Sequence, residues 1–89
     1  MRDKTILVTG AGQGIGRAVA TLAAQRGATK IAVLDKNEDS LQRVVDELSA
    51  PTRQVSAIVA DLRARTSCQD AFAEAAAALG QIDILVNNA

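Results

Sequence analysis

Apolar and polar positions along the chain alternate between two periods. Lys4-Thr5-Ile6-Leu7-Val8 is a short run with the β-branched enrichment of a buried strand. Ile15, Ala18, Val19, Leu22 and Ala23 then recur at i, i+3, i+4, i+7 and i+8, a helical stripe, and Gly27 supplies a stop after it. A second strand is predicted over Thr29-Lys30-Ile31-Ala32-Val33-Leu34, ending at Asp35. Asn37-Glu38-Asp39-Ser40 offers a cap and first-turn acids for a helix whose Leu41, Val44, Val45 and Leu48 form one stripe, with Pro51 beyond it. Gln54 to Val59 reads as a third strand, followed by Ala60-Asp61-Leu62. Cys68, Phe72, Ala75, Ala76 and Leu79 mark the inward face of a third helix that stops at Gly80, and a fourth strand is predicted from about Ile82 to Val86.

Strand alternating with helix, joined by short connections, argues for a parallel sheet. Right-handed crossovers then limit the arrangement. If the fourth strand returns to lie beside the first, the order is 3-2-1-4 and the third helix covers the face opposite the first two. The predicted fold is therefore α/β, a doubly wound parallel sheet of four strands and three helices over residues 1–89. Its switch point falls between strands one and four, where such sheets bind ligands. The turn after the first strand, Asp35, Asp61 and Asn87-Asn88 all stand at carboxyl ends of strands and should converge there.

Composition narrows the partners. Ten basic and ten acidic residues cancel, without a basic block, so capture by nucleic acid or an anionic membrane is not expected. There is no apolar run of membrane-spanning length and no charged leader with an apolar core, and the single cysteine cannot form an internal disulfide. A cytoplasmic protein is the expectation. Absence of His and of clustered cysteines leaves no candidate metal ligands. Cys68 lies on a helical stripe and reads as a small buried hydrophobe. At 89 residues the chain is shorter than most domains and buries only roughly 60% of its unfolded surface, so marginal stability is expected.

The chemistry is concentrated in Thr9-Gly10-Ala11-Gly12-Gln13-Gly14-Ile15-Gly16, which puts a glycine at every second position between strand and helix. Glycine permits positive φ and removes the Cβ that would hold a ligand off the backbone. The first N–H groups of the helix lack partners and sit at its positive end, so a phosphate is the natural guest. Close packing alone would not justify the backbone entropy of so many glycines.

The spacing is not Gly-x-Gly-x-x-Gly, which counted from Gly10 would need its third glycine at Ile15. Thr-Gly-x-x-x-Gly-x-Gly resembles instead the glycine loop of the short-chain dehydrogenase/reductase family. A second match lies at Asp83-Ile84-Leu85-Val86-Asn87-Asn88-Ala89, which resembles that family's Asn-Asn-Ala-Gly motif at the end of the fourth strand. Together the two motifs bracket nearly the whole chain. The resemblance implies a Rossmann-type domain that wraps the pyrophosphate of NAD or NADP, in an oxidoreductase acting on alcohol or ketone groups. It implies further strands and helices beyond the fourth strand, with oligomer contacts among them, so these residues are incomplete relative to the family fold. The family's Ser, Tyr-x-x-x-Lys and helix Asn would all fall after Ala89, and this sequence has no Tyr. No catalytic residue is therefore expected within it, and no activity of the 89 residues alone.

Expected cofactor contacts are Gly10, Gly12, Gln13, Gly14, Ile15 and Gly16 in the loop, then Asp35, Asp61, Leu62, Asn87, Asn88 and Ala89. Asp35 stands nineteen residues after Gly16, where a carboxylate can accept from the adenosine ribose hydroxyls. A 2′-phosphate about 4 Å away would meet up to ~4 kcal/mol of repulsion per unit charge at an effective dielectric of 20. By resemblance, NADP-preferring members often carry a base where this chain has Gln13, which also favours NAD; Lys36 works the other way. The resemblance gives Asp61 and Leu62 a role at the adenine edge, the alternative being that Asp61 caps the third helix. Asn87 and Asn88 can serve to cross-link neighbouring strands, to meet the cofactor through backbone atoms, or both. A dinucleotide-binding module without catalysis, or a nucleotide-sugar epimerase or dehydratase of related fold, are the alternative functions.

Overall fold

The computed structural model describes residues 3–12, 14–61 and 65–87, with backbone alone for 65–68. Elements follow in the order β1 (Thr5–Thr9), α1 (Gly14–Gln25), β2 (Lys30–Asp35), α2 (Glu38–Leu48), β3 (Gln54–Val59), α3 (Arg65–Leu79) and β4 (Ile84–Val86). All strand pairs are parallel, and the sheet order is β3-β2-β1-β4. The doubly wound order 3-2-1-4 read from the sequence is thus the observed one.

The two inner strands carry the core because the pleat sends alternate residues to opposite faces. Ile6 and Val8 of β1, with Ile31 and Val33 of β2, pack under α1 and α2 against Ala20, Ala23, Leu41 and Val44. Leu7, Ala32 and Leu34 point the other way and, with Ile58, pack against Ala71, Ala75 and Leu79 of α3. A strand buried on both faces needs apolar residues at every position, and β1 is buried at all five of its residues.

Helix α2 forms as its sequence predicts. Asn37 is the N-cap and its Oδ1 accepts from the Ser40 N–H at 3.0 Å; Leu41, Val44 and Leu48 are buried. Helices α1 and α3 turn differently from their predicted stripes. In α1 the buried residues are Gly16, Ala20, Ala23 and Ala24, whereas Ile15 is 71% and Leu22 49% exposed. In α3 the inward row is Ala71, Ala75 and Leu79, and Phe72 is 48% exposed. Both helices are alanine-rich, so hydrophobic contrast around them is shallow. Small residues let the helix axis approach the sheet, and close packing there outweighs burial of one larger side chain. The predicted inward place of Cys68 falls outside the described side chains.

The rim opposite the strand carboxyl ends is tied by side chains. Asp83 accepts from the Thr5 N–H at 2.9 Å and donates its own N–H to the Thr5 carbonyl at 2.9 Å, so one residue anchors the start of β4 to β1. Arg53 donates from Nη1 to the Leu48 carbonyl (2.6 Å) and from Nη2 to the Ala24 carbonyl (3.2 Å), closing the C-terminal ends of α2 and α1 with one guanidinium. Neither helix has a basic residue in its own last turn. Among the described residues no helix is long and apolar enough to cross a membrane.

Candidate functional site

The carboxyl ends of the strands meet at the turn Thr9–Gly14. Gly10 and Gly14 both have φ of 62°, the left-handed conformation that reverses the chain between β1 and α1. Gly16 answers a different demand: a Cβ there would stand 2.0 Å from the Gly10 carbonyl oxygen, so the first turn of α1 lies directly on the loop. This contact sets the rotation of α1. It leaves Ile15 pointing outward beside the loop.

Helix α1 has no acidic residue in its first turn, in contrast to α2, where Asn37, Glu38 and Asp39 occupy the N-terminus. No acidic residue of its own first turn offsets the positive end of α1, and an external anion is favoured there.

Hydrogen bonds knit the neighbouring strand ends to this loop. The Ala11 N–H donates to the Leu34 carbonyl at 3.0 Å, and the Gly12 N–H to Asp35 Oδ2 at 2.9 Å. Asp35 Oδ1 accepts from the Lys36 N–H at 2.7 Å, and its backbone carbonyl accepts from the Ala60 N–H at 2.9 Å, bringing in the segment that carries Asp61. On the other side of β1, buried Thr9 lies with its Oγ1 3.1 Å from Asn87 Oδ1 and 3.4 Å from the Val86 carbonyl. The hydroxyl has one hydrogen for these acceptors, so it links β1 to the end of β4 through either.

Of the residues singled out from sequence, Gly10, Gly12, Gly14, Ile15, Gly16, Asp35, Asp61 and Asn87 come together at this one edge of the sheet. Gln13, Leu62, Asn88 and Ala89 lie outside the described residues. Asp61 is half-buried, two positions past the end of β3. Thr9 is the site residue that sequence reasoning passed over: its threonine is part of the motif, but its bond to Asn87 spans 78 positions and has no local signal. Among the described residues no group of three or more His, Cys, Asp or Glu is placed to hold a metal ion.

A groove of about 570 Å³ runs along the outer side of α1, lined by Gly14, Arg17, Ala18, Thr21, Leu22, Gln25 and Glu47. It shares Gly14 with the glycine loop but is lined by none of Asp35, Asp61 or Asn87. The Arg17 guanidinium donates to Glu47 across it and holds that carboxyl below the usual carboxylate range. Both side chains are close to half exposed, so the pair adds little to stability.

A parallel sheet with a glycine loop at its topological switch point is the architecture of a Rossmann-type protein. The chain belongs to the short chain dehydrogenase family, whose model matches residues 4–89. It is 45% identical over 89 residues to "Oxidoreductase UcpA" of Salmonella typhimurium, covering all of this chain and 33% of that protein. YwfH, described as an NADPH-dependent reductase involved in bacilysin biosynthesis, superposes with a TM-score of 0.90 at 27% identity, over 98% of this chain and 35% of that one. A short chain dehydrogenase/reductase from Burkholderia phymatum, solved in complex with NAD, superposes with a TM-score of 0.86 at 32% identity, over 94% and 30% respectively. The chain spans about a third of the length of these proteins.

Proposed function

We propose that these 89 residues form the cofactor-binding part of a Rossmann domain in an NAD(P)-dependent oxidoreductase that acts on alcohol or ketone groups. The observation that carries this reading is the joining of the glycine loop, the start of α1 with no acidic residue in its first turn, and Asp35 at one crevice. A dinucleotide fits these features. Its pyrophosphate would lie against the loop Gly10–Gly16 and the first N–H groups of α1, and its adenosine ribose against Asp35. Asp61 and Leu62 would flank the adenine, and Asn87, Asn88 and Ala89 the far side of the crevice. When bound, the nicotinamide supplies hydride transfer. The residues that handle the substrate proton lie in the rest of the parent protein, which we read as a cytoplasmic homo-oligomer without nucleic-acid or membrane partners.

NAD is the preferred cofactor in this reading. Asp35 carries a formal negative charge toward the position of the ribose hydroxyls, and a 2′-phosphate about 4 Å from it would be opposed by up to ~4 kcal/mol per unit charge at an effective dielectric of 20. The neighbours named above include an NADPH-dependent reductase and a protein holding NAD, so the assignment rests on Asp35 itself. Asp35→Ala is expected to raise affinity for NADP+ relative to NAD+ by tenfold or more, as roughly half of that repulsion would give. Calorimetric titration of wild type and variant with each dinucleotide checks it; an unchanged ratio would remove Asp35 from the ribose site.

A further inference from the structure

The loop glycines differ in why they lack a side chain. Gly10 and Gly14 occupy positive φ, and Gly16 lies against backbone. Gly12 is not in the left-handed region, and its surroundings are side chains: a Cβ would stand 2.8 Å from Asp35 Oδ2, 3.2 Å from Asp35 Cγ and 3.0 Å from Ser40 Cβ. An alanine could adopt this backbone, but it could not keep Asp35 where it is.

Asp35 is held from two directions. Its Oδ2 accepts from the Gly12 N–H at 2.9 Å and its Oδ1 from the Lys36 N–H at 2.7 Å, bonds that come from two different segments of the chain and define the side-chain torsions. A carboxylate has about four lone-pair sites, so acceptor capacity remains on both oxygens for ribose hydroxyls. With Ser40 closing the other side of Gly12, an added methyl leaves the carboxylate no escape except to swing away from the loop. The opposition to a 2′-phosphate then weakens, because Coulomb repulsion falls with distance.

We propose that Gly12 is a positioning residue for cofactor choice: its N–H and its missing Cβ hold the Asp35 carboxylate at the place from which it accepts the adenosine ribose and rejects a 2′-phosphate. This inference rests on the reading of Asp35 as the ribose ligand. Gly12→Ala should lower the preference for NAD+ over NADP+ about tenfold, the effect of a retreat of roughly 2–3 Å by the carboxylate. In an Asp35→Ala background the same substitution should leave the ratio where Asp35→Ala has put it. A merely structural role for Gly12 would weaken both dinucleotides alike and leave the ratio unmoved.

The test is a pair of measurements on the ¹⁵N-labelled chain as wild type, Gly12→Ala, Asp35→Ala and the double variant. The first is affinity for NAD+ and for NADP+; the second is hydrogen exchange of the residue 12 amide, read without any dinucleotide. Loss of a bond to a charged acceptor should speed exchange at residue 12 about tenfold or more in Asp35→Ala and in Gly12→Ala, relative to the amides of β1. Equal protection of that amide in wild type and Asp35→Ala overturns the inference, also for a chain that binds neither dinucleotide. A shifted cofactor ratio in Asp35→Ala with an unshifted one in Gly12→Ala overturns it while leaving the ribose assignment intact. An unshifted ratio in Asp35→Ala, with exchange faster as expected, refutes the ribose assignment and takes the specificity role of Gly12 with it.

Discussion

At the scale of single residues, Gly16 sets two effects against each other. Alanine is the better helix former by about 1 kcal/mol, so Gly16→Ala would stabilise an isolated α1. In the folded chain its Cβ would meet the Gly10 carbonyl oxygen at 2.0 Å and carbon at 2.7 Å, and backbone cannot rotate aside as a side chain can. Overpacking of this kind costs about 1–3 kcal/mol or more. We expect Gly16→Ala to be destabilising by about that amount in urea unfolding, despite the gain in propensity. Gly14 is the comparison: a Cβ there would meet no atom within 4 Å, but φ is +62°. Its replacement by Ala carries the left-handed penalty of about 1–2 kcal/mol alone. Most of this could be anticipated as a class, since glycines between strand and helix are legible as a loop. Which glycine serves the turn, which the packing and which the side chain of Asp35 depends on atoms far along the chain.

At the scale of elements, α2 shows how much a segment can state by itself. Its cap, its first-turn acids and its stripe of Leu41, Val44 and Leu48 lie within a dozen consecutive positions, and the helix is Glu38–Leu48 as that pattern implies. Arg53 shows the reverse. Nothing near it in sequence marks it, yet its guanidinium serves carbonyls at the ends of two helices, 5 and 29 positions away. Each hydrogen bond from a charged group contributes about 1.5–3 kcal/mol, so loss of both in Arg53→Met should lower stability by about 3 kcal/mol or more in chemical denaturation. Arg53→Lys should restore only part of it, because an ammonium lacks the planar fork that spans both carbonyls. Equal stability of Arg53→Met and wild type would show the two helix ends to be satisfied by water instead.

At the scale of the whole molecule, the sheet is covered unevenly. Leu7 and Leu85 are register partners on β1 and β4 and point to the same face, but Leu7 is 2% exposed and Leu85 54%. Helix α3 packs over β2 and β3, and β4 pairs with β1 on one side. Phe72 on α3 is a further exposed large apolar side chain, at 48%. An open strand edge beside exposed apolar side chains is a template for association. The 89-residue chain is expected to self-associate with rising concentration in sedimentation velocity, and Leu85→Lys to shift it toward the monomer. A wild-type chain that stays monomeric throughout would show the uncovered face to be tolerated.

The sequence by itself determined the succession of strands and helices, their approximate limits, the parallel order 3-2-1-4 and the gathering of the glycine loop, Asp35, Asp61 and Asn87 at the strand ends. These follow from periodicity, caps and crossover handedness, which act over a few residues or over whole elements. Tertiary structure alone decided how α1 and α3 are turned. In alanine-rich helices the hydrophobic contrast is too small to choose a face, and the contact of Gly16 with Gly10 chooses it for α1. It also decided the links Gly12 to Asp35, Thr9 to Asn87 and Arg53 to two helix ends. Those bonds join groups from 5 to 78 positions apart, and a polar atom finds such a partner when packing has already brought the segments together.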